Sequence, residues 1–207
     1  MKAYGNAIKK ALALTLLLSL SPCAFAEGET VVDTGTTVFV NQFYNGDLSI
    51  TDTGSITFQS DSRNLSVDGS LSNAGSINSA ESVHVSSELN NSGSIMSKGE
   101  RVNVRGNSIV NQKGGSISLN GTDYADIDAD GTLENGGSIS LNGTVYADIF
   151  VYGTLENSGS IEISSRGTAD ILTISWKITG PYPSRALGWP LPTMWKTTTP
   201  LRSRKKA

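Results

Sequence analysis

Asp126-Ile-Asp128-Ala-Asp130-Gly131 is the densest run of potential chemistry in the chain. It matches the opening D-x-D-x-D-G of a calcium loop, in which alternate carboxylates converge on one hard cation. A complete loop carries a bidentate Glu at its twelfth position, where this chain has Gly137. Read as a strand instead, the run puts all three carboxylates on one outward face. Twenty-two residues on, the same places hold Asp148, Phe150 and Tyr152, so the triplet does not recur. A single column does recur: Asp126, Asp148 and Asp170. Like charges stacked about 5 Å apart repel one another. A bound cation or raised pKa values would relieve them. The expectation is weak calcium binding along this face through Asp126, Asp128, Asp130, Asp148 and Asp170, set beside the plainer reading of a solvated acidic face. No other cofactor is expected.

The remaining reactive residues are few. His84 lies between Val83 and Val85, points outward by alternation, and has no second histidine with which to build a zinc site or a serine triad. Cys23 is the one cysteine and lies in the leader described below. A polysaccharide-cleaving site would need carboxylates and a basic residue converging at a break in the repeat. Arg101 and Arg105 are placed two coils' worth of sequence from the centre of the Asp-rich strand, in a coil with few acids. No catalytic residue is assigned. Asn64, Asn90, Asn120 and Asn142 head Asn-x-Ser/Thr triplets, as chance provides in a Ser/Asn-rich chain, and receive no role.

The elements that position these residues are repeats. Gly-Ser-Ile recurs with its Gly at 54, 75, 93, 115, 137 and 159, and Ala-Asp-Ile recurs at 125, 147 and 169. Within each copy apolar residues alternate, as in Leu65/Val67, Val83/Val85, Val102/Val104 and Ile127/Ala129. That is the period of a strand with one buried face. Gly, Asn, Ser and Asp punctuate the strands. One repeat per turn stacks equivalent strands about 4.8 Å apart. Ile56, Ile77, Ile95, Ile117, Ile139 and Ile161 are then predicted to form one internal column. Leu71, Leu89, Leu133 and Leu155, joined by Ile109, form another. Asn73, Asn91, Asn111, Asn135 and Asn157 should form a ladder at a turn, in left-handed backbone, with their amides bonding coil to coil. Asp52 is expected to hold that place in the first coil. The fold class is thus an all-β, parallel β-helix (β-solenoid) of about six to seven coils, with 18–22 residues per coil.

Composition divides the chain into four. Residues 1–26 read as a signal peptide: Lys2, Lys9 and Lys10 precede the apolar run Ala11–Leu20, and Ala24-Phe25-Ala26 offers a cleavage site. Cleavage there removes Cys23, so no disulfide or thiolate chemistry is expected of the mature chain. Residues 27–47 are expected to form an amino-terminal cap and 48–174 the solenoid. Residues 27–170 hold all 19 acidic residues and six basic ones, a net of −13, which argues against nucleic acid as a partner. Residues 175–207 break the pattern, with Trp176, Trp189, Trp195 and five of the six prolines. This stretch reads either as a disordered basic tail or as non-native sequence beyond a frameshift. Toward the end of the repeats the outward places turn apolar, at Phe150, Tyr152, Leu172 and Ile174. They read as a patch for a partner or as a surface covered by a continuation.

The Gly-Thr-Leu-Glu-Asn-x-Gly-Ser-Ile unit resembles repeats of bacterial autotransporter passengers and filamentous-haemagglutinin-like adhesins, over Leu48 to Ile174. The resemblance implies a right-handed helix, export, and display at the outer membrane or cell surface, or secretion. It implies a non-catalytic structural or adhesive role toward host-cell or matrix surfaces, other surface proteins or glycans. Two family features are absent: the Asn-Pro-Asn-Gly element of the haemagglutinin type, and the strands of a membrane barrel after Ile174. Contact with a membrane would come only through such a barrel. The alternative function is a β-helix that binds or degrades polysaccharide.

Overall fold

The structure, a computed structural model, describes residues 28–38, 41–59, 63–179 and 184–187. The signal segment and the end of the tail, with Cys23, Trp189 and Trp195, lie outside the described residues.

Strands follow one another with short corners and no intervening helix. They are β1 (Thr30–Val32), β2 (Gly35–Val38), β3 (Gln42–Tyr44), β4 (Leu48–Ile50), β5 (Ser55–Phe58), β6 (Asn64–Val67), β7 (Leu71–Asn73), β8 (Ser76–Ala80), β9 (Ser82–Asn91), β10 (Ser94–Asn111), β11 (Ser116–Asn135), β12 (Ser138–Gly143), β13 (Tyr146–Asn157), β14 (Ser160–Ser165), β15 (Thr168–Ile178) and β16 (Ser184–Leu187). Every pairing is parallel and joins equivalent strands of neighbouring coils. The result is a β-solenoid of about six turns with three faces. The long strands β10 and β11 bend around corners and contribute to all three.

The first face carries the Gly-Ser-Ile units. Ile56, Ile77, Ile95, Ile117, Ile139 and Ile161 pair in unbroken register, and none is more than 2% exposed. Each such side chain contributes about 1.5–3 kcal/mol by leaving water. A second column on this face runs through Ser97, Leu119, Leu141 and Ile163. Ser97 is its one polar member: fully buried, with a hydroxyl that finds no partner. An unpaired buried hydroxyl costs about 1–3 kcal/mol. Ser97→Ala is therefore expected to raise the thermal midpoint by about 2–4 °C, read by circular dichroism. A fall of similar size would show that the hydroxyl has a partner.

The third face carries the Leu column, Leu71, Leu89, Ile109, Leu133 and Leu155, which Leu48 extends upward. Beside it runs the asparagine ladder. Nδ2 of Asn73, Asn91, Asn111 and Asn135 each donates to Oδ1 of the next Asn at 2.8 Å. The same amides also donate to the carbonyl oxygens of Ser94, Ser116, Ser138 and Ser160. All five residues are within 2% of full burial and sit at the ends of strands. Asn is therefore needed for its side chain, not for a left-handed backbone.

The first-coil place in the ladder belongs to Ile50, which pairs with Asn73, and Asp52 is exposed in the following turn. Counting two residues back from Gly54 misleads because that corner is longer. Ile50 to Gly54 spans as many residues as Asn111 to Gly115. With Ile50 above it, Asn73 Oδ1 is left without a donor.

Residues 30–44, expected as a cap, form a coil of their own: β1, β2 and β3 pair with β4, β5 and β6. At the other end β15 runs past Ser175 to Ile178, and β16 pairs with β14. There the register puts Trp176 opposite Leu155, Ile178 opposite Asn157 and Arg185 opposite Ile163. The residue types at these register positions differ from those of the coils before.

Candidate binding face

The second face carries the acidic column. Its outward positions form a grid, because β11, β13 and β15 pair without a shift up to Ala129, Val151 and Thr173; Tyr152 and Ile174 lie just past these pairs, where the β13/β15 register shifts. One row is Tyr124, Asp126, Asp128 and, just beyond, Asp130. The next is Tyr146, Asp148, Phe150 and Tyr152. The last is Thr168, Asp170, Leu172 and Ile174. Inward, Ala125, Ala147 and Ala169 alternate with Ile127 and Ile149 and are buried. Small and branched residues there let the strands lie flat enough to hold the grid in register.

Asp126, Asp148 and Asp170 stand one above another, as expected. Asp148 is 9% exposed, and its Oδ1 accepts a hydrogen bond from the Asp170 backbone N–H at 3.0 Å. Desolvation raises the pKa of Asp126 to about 6, assisted by the charges of Asp148 and Asp128 and opposed by a hydrogen bond from the Asp148 backbone. Desolvation likewise raises Asp148 and Asp128. Asp126 and Asp148 thus accept from the backbone of the next coil, and burial favours the protonated forms of Asp126, Asp128 and Asp148. Among the described residues no group of three or more His, Cys, Asp or Glu is placed to hold a metal ion.

The folded state keeps the Asp126 proton between about pH 4 and pH 6, where the unfolded chain has lost it. Stability therefore falls as pH rises through that window. Asp126 is half exposed to solvent, which screens the effect to about 1 kcal/mol, or about 2–4 °C. Melting should occur higher at pH 4.5 than at pH 7.5, and Asp126→Asn should reduce the difference. A midpoint that instead drops on mild acidification in the parent chain would refute this.

Arg101 and Arg105 lie one coil from the acids, not two. β10 pairs with β11, which puts Arg105 opposite Asp128 and Arg101 opposite Tyr124. Arg105 Nη2 reaches Asp130 at 3.4 Å, and the Arg101 guanidinium lies 4.9 Å from the Tyr124 ring centroid. Tyr124 in turn stacks on Tyr146, with ring centroids 5.1 Å apart and planes inclined by 16°. The interval from Arg105 to Asp128 is one coil plus a single bulged residue, and that bulge hid the pairing. Beside this group lies a shallow depression of 290 Å³ lined by Asn64, Glu81, Ser82, Arg101, Asn103 and Asp126, among others. His84 is exposed on the same face.

The apolar corner of the grid is the part open to a partner. Tyr152, Leu172 and Ile174 are 65%, 47% and 67% exposed, and Phe150 is half-buried between them.

This architecture has a counterpart among known proteins. The family described as BigA fourth domain matches residues 28–164, or 137 of the 207 residues. The chain belongs to the BigA fourth domain family. The BigA fourth domain is a domain of bacterial surface proteins. Its match begins at the first described residue and ends within β14, before β15. No curated protein and no solved structure gives a match. In the grid the aspartate column recurs from coil to coil, whereas the positions beside it change from Asp128 to Phe150 and Leu172.

Proposed function

We propose that the chain is an adhesive surface module: exported, cleaved near Ala26, displayed in the manner of a passenger domain, and non-catalytic. One observation carries this reading. Residues constant between coils are spent on the interior, in the Ile column, the Leu column and the Asn ladder. The residues free to vary face solvent on a rigid lattice. A solenoid so built offers a long face for a host-cell or matrix surface, another surface protein or a glycan. The runner-up, a polysaccharide-degrading β-helix, draws support from Glu134 and Glu156, stacked in register beside Lys177 at a shallow depression.

Beads coated with the full chain should attach to host-cell, matrix-protein or glycan surfaces. The same preparation should release no reducing ends from a polysaccharide panel. Glycan cleavage that is lost in Glu134→Gln or Glu156→Gln would replace the adhesive reading with the enzymatic one. Failure to attach to any surface would reject it.

A further inference from the structure

The acidic column and the apolar corner adjoin. Across β13 and β15 the outward order is an aromatic or threonine position, then aspartate, then two large apolar side chains. No outward position of these two rows is basic, and Arg105, one coil from Asp128, is already turned to Asp130. We propose that this corner, Asp126, Asp148 and Asp170 with Phe150, Tyr152, Leu172 and Ile174, docks a basic polypeptide segment that also carries apolar side chains. The proposal deepens the adhesive reading and rests on it.

Charge decides among occupants. Nucleic acid, anionic lipid and sulfated glycan would all meet a body of net charge −13 and an unneutralised aspartate column. A second copy of this chain would bring one aspartate column against another. A neutral glycan finds little here, since Leu172 and Ile174 offer no side-chain hydrogen bonds and the Tyr124 ring is enclosed between Arg101 and Tyr146. A lysine or arginine of a partner answers both needs. Its head pairs with carboxylates stacked one above another that have no basic side chain on their own rows, and its methylene stem packs on Phe150 and Leu172. Neighbouring apolar side chains of the same segment cover Tyr152 and Ile174. Because each of the two features is incomplete alone, the site should select segments that combine charge and apolarity.

The test uses the full chain and a short fluorescent peptide alternating lysine with leucine, followed by anisotropy. Controls replace lysine by glutamate, or leucine by glycine. The lysine–leucine peptide should bind, and both controls should bind at least about tenfold more weakly. The double variants Asp126→Asn/Asp170→Asn and Leu172→Ser/Ile174→Ser should each lose about tenfold in affinity. Leu172→Lys, which puts a like charge beside the partner's lysines at an exposed position and leaves the core untouched, should lose more. Glu88→Gln/Glu162→Gln, exposed on the other two faces, should leave affinity unchanged. Equal binding of the lysine–glycine peptide, binding of the glutamate peptide, indifference to the corner variants, or no binding would each overturn the proposal. Beads that attach equally well with the corner variants would remove this site and leave adhesion standing. Peptide binding at the corner without bead attachment would do the reverse.

Discussion

Asn111→Asp is expected to lower the thermal midpoint by about 10 °C, the largest effect of any isosteric change in the chain. Asn111 accepts a hydrogen bond from Asn91 and donates to Asn135 Oδ1 at 2.8 Å, to the Ser138 carbonyl at 3.1 Å and to the Gly115 carbonyl at 3.4 Å. Aspartate keeps the acceptor and removes every donor. Three buried oxygens then lose a partner, and a carboxylate faces them at a site 1% exposed. The cost is about 3–5 kcal/mol. Part of it should return on acidification, since protonating the introduced carboxylate restores one donor. Removing Asn73 to Ala should cost less than removing Asn111 to Ala, because Asn73 Oδ1 has no donor to lose. Melts followed by circular dichroism at pH 7 and pH 5 check both statements. A ladder of independent bonds, with Asn73 and Asn111 equal in cost, would contradict the account.

Gly137→Ala is expected to cost about 3 kcal/mol, although it adds one methyl group near the surface. The glycine of each Gly-Ser-Ile unit is not required by a left-handed backbone; the positive-φ glycines are Gly28, Gly46 and Gly114. It is required by the neighbouring coil. A Cβ on Gly137 would strike the carbonyl oxygens of Gly115 and Gln112, and one on Gly159 would strike that of Gly137. Those carbonyls are held in place, because Ser138 and Ser160 donate to Gly115 and Gly137 from their backbone N–H groups. Neither side can yield without breaking the corner. Gly136→Ala, one residue earlier, meets its nearest neighbour at 3.2 Å and should be the milder change. Denaturant midpoints of the two variants compare them directly, and equal midpoints would remove the close-approach argument.

The inner columns are legible in the sequence because a repeat writes each structural requirement several times. Six isoleucines at intervals of 18–22 residues and five asparagines at intervals of 18–24 leave a single register that buries the first set and pairs the second. Misreadings arise where corner length varies. Counting from Gly54 assigns Asp52 to the ladder, but a corner as long as that after Asn111 moves the place to Ile50. The same variation hides the approach of Arg105 to the acids, through the shift between Gly99 and Arg101. The alternation of Asp126, Asp128 and Asp130 is a side-chain pattern that a strand with one outward face also produces. Tyr124 and Tyr146 carry a signal of their own: two tyrosines one coil apart must stack if the register is kept.

The basic tail bears on how the fold ends. The residue types at the register positions of the inner columns change at Trp176, Ile178 and Arg185. The strands nevertheless continue to pair, which needs only backbone groups. Pairing without column chemistry is the weakest part of the stack, since parallel ladders gain most of their stability from what they bury. Loss of protection by hydrogen exchange should therefore begin at β16 and the end of β15 and reach the ladder last.

Both the ladder and the docking corner depend on the coil register, and a disulfide measures it. In register, Asp128 and Phe150 are direct neighbours, about 4.8 Å apart at their Cα atoms. That separation falls within the range a disulfide spans, whereas an offset of two residues, about 8 Å, exceeds it. Oxidation of the Asp128→Cys/Phe150→Cys chain should close the cross-link nearly completely without loss of thermal stability. The Asp128→Cys/Tyr152→Cys chain should remain reduced. Cross-linking of the offset pair, or failure of the paired one, would show that the coils do not stack as described.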